Sequence, residues 1–256
     1  MDFNNITLEK KDGIGRLTID RPPVNVMNLE TIDEISSALE QIAKDDEVKV
    51  LLVRGAGSRA FCAGVEVKDH IGDRVTLMMN SFGEMIKRLR GLGKPSIAVV
   101  NGVALGGGCE LVAGCDMAIA VEKAEFAQPE IKLGGLAPAA AALFPAIMGE
   151  KKAFELIVVG DNIKADEAEK IGLVNRVVPE EELDGAAEAL AAKFLEKSGL
   201  SVSLIREAFY QCVNAENFED ALKKATEQGI KSWETEDAQE GLNAFLEKRP
   251  PVWRNK

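Results

Sequence analysis

The amino-acid sequence predicts an α/β core extended by a helical segment at its C-terminal end. Three observations predict it. Short apolar runs of strand type alternate with segments of helical period through most of the chain. The final stretch is helical in period almost throughout. No Ser-, Gly- or Pro-rich tract separates the two, and 256 residues suit one large domain with an appendage.

Taken in order, Ile6 to Lys10 and Gly15 to Asp20 read as strands. Asp12-Gly13 between them is a favoured hairpin dipeptide. Arg21-Pro-Pro-Val-Asn-Val-Met-Asn28 reads as a loop, because tandem prolines exclude helix. Asn28 is the expected N-cap of a helix through Lys44, with Ile32, Ile35, Leu39, Ile42 and Ala43 at helical spacing. Val48 to Arg54 is a strand, and Gly55 to Gly64 a Gly- and Ala-rich loop. A helix is expected from Arg74 to Leu92, with Leu77, Met78, Met85, Ile86 and Leu89 on one side, and Pro95 closes it. Ser96 to Asn101 is a buried strand. Gly106-Gly-Gly108 opens a short helix near Cys109 to Ala113. Met117 to Val121 is a strand and Gln128 to Pro138 a loop-rich stretch. From Ala139 the chain reads as helix, apart from a strand at Val174 to Val178. A short helix, Ala165 to Ile171, lies between Gly160 and Gly172, both placed as helix ends. Glu180-Glu-Glu182 suits the first turn of a helix, where anions are favoured.

Bulk properties narrow the function. The net charge of −11 repels nucleic acid and anionic membrane surfaces. Four cysteines form no Cys-x-x-Cys pair, and there is one histidine, so a zinc site of Cys and His is not expected. The scattered thiols fit a reducing cytoplasm. The N-terminus shows no basic segment followed by an apolar one, so no signal peptide is expected. The longest weakly polar run, Leu136 to Met148, has 13 residues and two prolines, against roughly 20 needed to span a bilayer. It reads as a buried or interfacial helix.

Three segments carry chemistry. In Asn101-Gly-Val-Ala-Leu-Gly-Gly-Gly-Cys-Glu110 a strand runs into three glycines and a helix. Glycines let backbone N–H groups approach a ligand, and a helix N-terminus adds positive potential there, which together suit a developing oxyanion. The spacing fits neither a dinucleotide fingerprint nor a P-loop. The plainer alternative is a tight strand–helix turn with no ligand. The second feature is the pair Glu110 and Glu130, the latter after Gln128-Pro129 and flanked by apolar stretches. Most glutamates are simply solvated. The third, Ala60-Phe-Cys-Ala-Gly-Val-Glu-Val-Lys68, is by itself an ordinary strand-to-helix loop.

In this order the three segments resemble the enoyl-CoA hydratase (crotonase) superfamily, over about Ile6 to Lys248. Arg21-Pro-Pro-Val-Asn, Gln128-Pro-Glu130, Leu133-Gly134 and Ala165 to Leu173 continue the match. The resemblance implies a crotonase-type spiral of ββα units over 1–195 and a helical trimerisation region over 196–256. It implies a homo-oligomer, a dimer of trimers, acting on an acyl-CoA thioester, with no cofactor beyond the coenzyme A of the substrate. By the same resemblance the N–H groups of Val65 and Gly107 bind the thioester oxygen. Glu130 gives a proton to carbon, and Glu110 holds and activates water. Ala63, Lys68, Gly106, Leu136 and Pro138 fall to substrate and CoA binding, Lys68 facing CoA phosphates. Phe245 and Lys248 match a C-terminal pair that reaches the CoA of a neighbouring subunit.

One departure bears on the substrate. Where many relatives carry Pro-Gly-x-Gly-Gly-Thr, this chain has Leu136-Ala-Pro138-Ala-Ala-Ala-Ala-Leu-Phe144. That run, with Val65-Glu-Val-Lys-Asp-His70, is similar to cyclohexa-1,5-diene-1-carbonyl-CoA hydratases, which serve anaerobic degradation of aromatic acids through benzoyl-CoA. The expected reaction is therefore hydration of a conjugated dienoyl-CoA. A general short-chain enoyl-CoA hydratase, an enoyl-CoA isomerase and a non-catalytic CoA- or RNA-binding scaffold are the alternatives. His70 reads as a pocket-edge or surface residue, Cys109 as a small buried filler. Glu66 and Asp69 read as solvated loop residues or local ion pairs.

Overall fold

A computed structural model describes residues 3–256. The N-terminal hairpin pairs β1 (Ile6–Lys11) with β2 (Ile14–Ile19), antiparallel. Asp12 and Gly13 both take positive φ, +52° and +79°, as a two-residue hairpin turn requires. Helix α1 (Leu29–Lys44) starts where Asn28 accepts a hydrogen bond from the Thr31 N–H at 2.9 Å. Its buried face includes Ile32, Ile35, Leu39 and Ile42, each contributing about 1.5–3 kcal/mol on burial.

Three consecutive units then repeat one plan. Strands β3 (Val50–Gly55), β5 (Ser96–Val100) and β7 (Met117–Val121) each enter a large sheet. Each is followed by a short strand in a second sheet: β4 (Ala60–Cys62), β6 (Val103–Leu105) and β8 (Glu125–Ala127). Helices α2 (Arg74–Arg90) and α3 (Gly107–Gly114) complete the first two units. After β8 come a 3-10 turn (Pro129–Leu133) and α4 (Pro138–Met148).

Helix α5 (Glu150–Val159), β9 (Ile163–Lys164), α6 (Ala165–Lys170) and β10 (Arg176–Val178) lead to α7 (Leu183–Leu195). The large sheet has the order β1-β2-β3-β5-β7-β10, parallel from β2 onward. The small one has the order β4-β6-β8-β9, with only β8/β9 antiparallel. Helix α7 packs against β3, β5 and β7.

The remaining helices are α8 (Gly199–Val213), α9 (Phe218–Trp233) and α10 (Glu236–Glu247). Helix α8 is tied to the core by a nearly buried Arg206. Its Nε donates to both Asp116 oxygens at 3.0 and 2.9 Å, and its terminal nitrogens donate to the carbonyls of Arg90 and Leu89 at the end of α2. Tyr210 donates to the same carboxylate, and the Arg90 guanidinium lies 3.7 Å from its ring centre.

The small sheet is the main departure from the sequence reading. Gly55 to Gly64 is not all loop, since it contains β4, and β6, β8 and β9 have two or three residues each. Such short strands carry no period-2 signal. The run Leu136 to Met148 does form a helix, with Ala140 and Phe144 buried and Ala141, Ala142 and Ala146 open to solvent. No helix among the described residues is long and apolar enough to cross a membrane.

Candidate active site

The three chemistry-bearing segments meet because the small sheet makes them neighbours. Val65 follows β4, Gly107 follows β6 and Glu130 follows β8, each within three residues of the strand end. Strand β6 lies between the other two, with Cys62 opposite Ala104 and Leu105 opposite Ala127.

Each glycine of Gly106-Gly-Gly108 is required by a different neighbour. Gly106 has φ +52° and ψ −125°, a region that side chains avoid. A Cβ there would run into the Glu130 carboxylate. A Cβ on Gly107 would stand 2.7 Å from Val65 Cγ2 and 3.2 Å from the Phe82 ring. On Gly108 it would collide with the Cys62 carbonyl. The glycine run is thus the seam along which β4, α2, α3 and the Glu130 turn close on one another.

Among the described residues, two amides are left free at this seam. Val65 forms an isolated parallel bridge with Met27, in which Met27 N–H donates to Gly64 O at 2.9 Å and Glu66 N–H to Met27 O at 2.8 Å. That pattern uses the groups on either side of Val65 and leaves its own N–H unpaired. Gly107 is the first residue of α3, where an N–H has no partner within the helix. The preceding Gly106 N–H is already bound to Ala127 O.

Glu110 is buried and Glu130 half-buried. Glu110 is buried in the first turn of α3, and its Oε1 accepts from the Ala140 N–H at 2.7 Å. It thereby caps α4, whose N-cap residue Ala137 offers no side-chain acceptor. Burial pushes the Glu110 carboxyl up to about 7, helped by the charge of Glu130 and opposed by the Ala140 and Ala139 amides. Burial also raises Glu130, opposed by a backbone hydrogen bond and the charge of His70. Glu130 Oε2 is buried without a hydrogen-bond partner among the described residues. With both carboxyls raised and Glu110 at about 7, the pair can hold a proton near neutral pH, one member serving as acid and the other as base. With two unpaired amides alongside, the arrangement can take negative charge on an oxygen while moving protons next to it.

The structure thus brings Val65, Gly106, Gly107, Glu110 and Glu130 together. Ala63, whose N–H is bound to Val24 O, lies two residues before Val65. Lys68 is exposed in the 3-10 turn Val67–His70, and Leu136 and Pro138 are exposed at the entrance to α4. Phe245 and Lys248 are not brought to this seam within the single chain. They lie on and just after α10, which packs on α8 and α9, and Phe245 is 83% exposed. Cys109 is buried, and burial with the two neighbouring carboxylates holds its thiol well above the usual range, as suits a filler.

Of the two readings for Asp69, solvated loop residue or local ion pair, the structure shows the ion pair, with Arg74, and the carboxylate is 2% exposed. Two residues escaped the sequence reading. Asn25 donates to Ala56 O and Ala60 O at 3.0 and 2.9 Å, and Asn101 donates to Gly55 O and Gly57 O at 2.9 and 2.7 Å. Together they hold the loop that leads from β3 to β4. Their signal was an amide side chain set among apolar neighbours.

An α/β spiral whose paired short strands deliver free amides, a buried Glu110 and a half-buried Glu130 to one seam is an arrangement suited to stabilising an enolate. The chain belongs to the enoyl-CoA hydratase/isomerase family, whose pattern it matches over residues 9–256. It is 40% identical to a probable mitochondrial enoyl-CoA hydratase of Dictyostelium discoideum, over 99% of this chain and 92% of that one. It is 36% identical to a short-chain-enoyl-CoA hydratase of Clostridium acetobutylicum, over 97% of both. Among solved structures, an enoyl-CoA hydratase subunit from Geobacillus kaustophilus superposes with a TM-score of 0.93 at 33% identity, covering 100% of both chains. The fold is the crotonase fold.

Proposed function

We propose that this chain is a hydro-lyase that adds water to a short, straight-chain 2-enoyl-CoA. The observation that carries the proposal is the pair of raised carboxyls, Glu110 and Glu130, beside two unpaired amides. An isomerase that only shifts a double bond needs one proton carrier, whereas hydration needs a water held by one group and a proton delivered by another.

In this reading the thioester oxygen sits between the Val65 and Gly107 N–H groups. Glu110, steered by the α4 amides, takes a proton from water as its oxygen bonds to the β-carbon. Charge moves onto the thioester oxygen, where each aimed donor contributes about 3–4 kcal/mol. Glu130 then gives its proton to the α-carbon, and the carbonyl re-forms. The proton taken by Glu110 restores the shared proton of the pair.

Ala63, Gly106, Leu136 and Pro138 border the acyl group and the pantetheine. Lys68 meets a CoA phosphate, and Phe245 and Lys248 come from a neighbouring copy in a dimer of trimers. Coenzyme A arrives with the substrate, and no separate cofactor is part of the reading. A cytoplasmic location belongs to it as well, supported by four free thiols, three of them buried.

The names of the relatives do not favour the cyclic dienoyl substrate, and the general hydratase replaces it as the first choice. The apolar run Leu136-Ala-Pro-Ala-Ala140 keeps the cyclic diene as a second arm of the test. The experiment is a steady-state comparison of crotonyl-CoA, longer 2-enoyl-CoAs and cyclohexa-1,5-diene-1-carbonyl-CoA in 18O-labelled water. Label in a 3-hydroxyacyl product, with the highest kcat/KM for crotonyl-CoA, is expected. A shifted double bond without label would replace hydration by isomerisation.

A further inference from the structure

Val65 sits in backbone that no regular strand supports. Its bridge to Met27 consists of two hydrogen bonds, and the chain leaves it at once for the 3-10 turn Val67–His70. Lys68 and His70 of that turn are exposed. Asp69 alone is buried, and its side-chain contacts lead back to the seam. Its Oδ2 accepts from the Leu29 N–H at 3.1 Å. Its Oδ1 accepts from Arg74 Nε at 2.8 Å and lies 2.5 Å from the same guanidinium's Nη2.

Leu29 opens α1, two residues after Met27, the partner of Val65. Arg74 opens α2, the helix whose Phe82 ring rests against Gly107. One carboxylate therefore joins the segment that pairs with Val65, the turn that follows Val65 and the helix that borders Gly107. With Arg74 on Oδ1 and the Leu29 N–H on Oδ2, both oxygens are held and the orientation of the carboxylate is fixed.

We propose that Asp69, clamped by Arg74 and the Leu29 N–H, is a positioning residue that holds the Val65 amide in line with the Gly107 amide. The proposal rests on the oxyanion-hole reading above. Amide placement matters because a displacement of about 1 Å can cost roughly 100-fold in rate. Asp69 touches no substrate in this account. Its effect belongs in kcat and in polarisation of the carbonyl, while KM follows Lys68 and the acyl contacts.

The test uses Asp69→Asn, Arg74→Gln and Arg74→Lys in the full chain. The asparagine side chain of the first variant can still accept from Leu29 but carries no charge for Arg74. Arg74→Lys keeps a positive charge for the buried Asp69 on a side chain that is 60% exposed, so it leaves a folded protein to measure even where Arg74→Gln or the Asp69 variant strands a buried group and does not fold. The probe is a cinnamoyl-CoA with a para-dimethylamino group, whose absorption moves to the red as donors draw charge onto its carbonyl oxygen.

In the wild type, saturation with the probe gives a red shift. In Asp69→Asn and Arg74→Gln the shift falls by at least about half, and kcat for crotonyl-CoA falls roughly 10- to 100-fold with KM within about threefold. Arg74→Lys lies between Arg74→Gln and wild type. Full red shift and wild-type kcat in Arg74→Gln, or a loss confined to KM, overturn the clamp while leaving the oxyanion hole in place. Absence of a red shift in the wild type overturns the oxyanion-hole reading and the clamp with it.

Discussion

Replacing Glu110 by Gln tests the electrostatics of the site through stability as well as rate. The wild-type carboxyl is raised from 4.5 to about 7, chiefly by burial. A group whose folded value lies above its unfolded value favours folding while protonated. Its contribution is present in full below about 4.5 and is lost as pH rises through about 7. At roughly 1.4 kcal/mol per pH unit, the carboxylate costs the wild type about 2 kcal/mol more at pH 8.5 than at pH 5.5. Gln keeps the size and can still accept from the Ala140 N–H, but it never ionises. The stability of Glu110→Gln relative to wild type should therefore rise by about 2 kcal/mol across that interval, or about 4–8 °C in Tm for a chain of this size. Paired thermal melts at matched protein concentration measure it, so that any self-association shifts both proteins alike. Over the same range the variant should hydrate crotonyl-CoA about 100- to 10,000-fold more slowly. A Tm difference that stays constant or shrinks with rising pH would refute the claim that Glu110 is a buried weak acid.

Three other predictions follow from the same contacts. In the wild type, kcat/KM should decline above about pH 7, because raising pH strips the proton that the carboxyl pair shares; a profile flat into the alkaline range contradicts the shared proton. Gly106→Ala forces a residue at φ +52° and a Cβ into the Glu130 carboxylate, so kcat should fall about 100-fold and stability by about 1–3 kcal/mol, read by steady-state kinetics and urea unfolding. Arg206→Gln leaves Asp116 without its cation and two α2 carbonyls without donors, and should lower stability by about 3–5 kcal/mol in the same urea assay.

The sequence was informative where a residue acts through its own chain neighbours. Asp12-Gly13, the Asn28 cap, Pro95 and the helix-end glycines Gly160 and Gly172 all mark local conformation, and each stands where the pattern put it. Glu110 and Glu130 were picked out because their motifs are long and specific, and the structure brings them to one seam. What could not be read was pairing between distant short segments. Strands β4, β6 and β8 have three residues each, too few for a period, yet their pairing builds the site. Asp69 shows the same limit: Val-Lys-Asp-His allowed a solvated turn or a local ion pair such as the one with Arg74, but not the contact with Leu29, 40 residues away. Phe245 and Lys248 lie away from this seam in the single chain, on and just after a helix that packs on α8 and α9.

The same packing supplies both the proximity and the acid strength of the carboxyl pair. Gly106, Gly107 and Gly108 let the Glu130 turn, Val65 with Phe82, and the end of β4 close to van der Waals contact, and that closure removes the water that would keep two carboxyls ionised. Burial dominates at both residues, but their anchoring differs. Glu110 has one oxygen committed to the first amides of α4, whereas Glu130 Oε2 has no protein partner among the described residues. An anchored carboxylate is suited to hold a water in one orientation. An unanchored one can follow a carbon that changes shape as it gains a proton. Because the Ala140 and Ala139 amides oppose the rise at Glu110 and have no counterpart in α4 for Glu130, the entrance to α4 sets the balance between the two. The run Leu136 to Ala140, which leads into α4, therefore bears directly on how a proton is distributed between the two carboxyls.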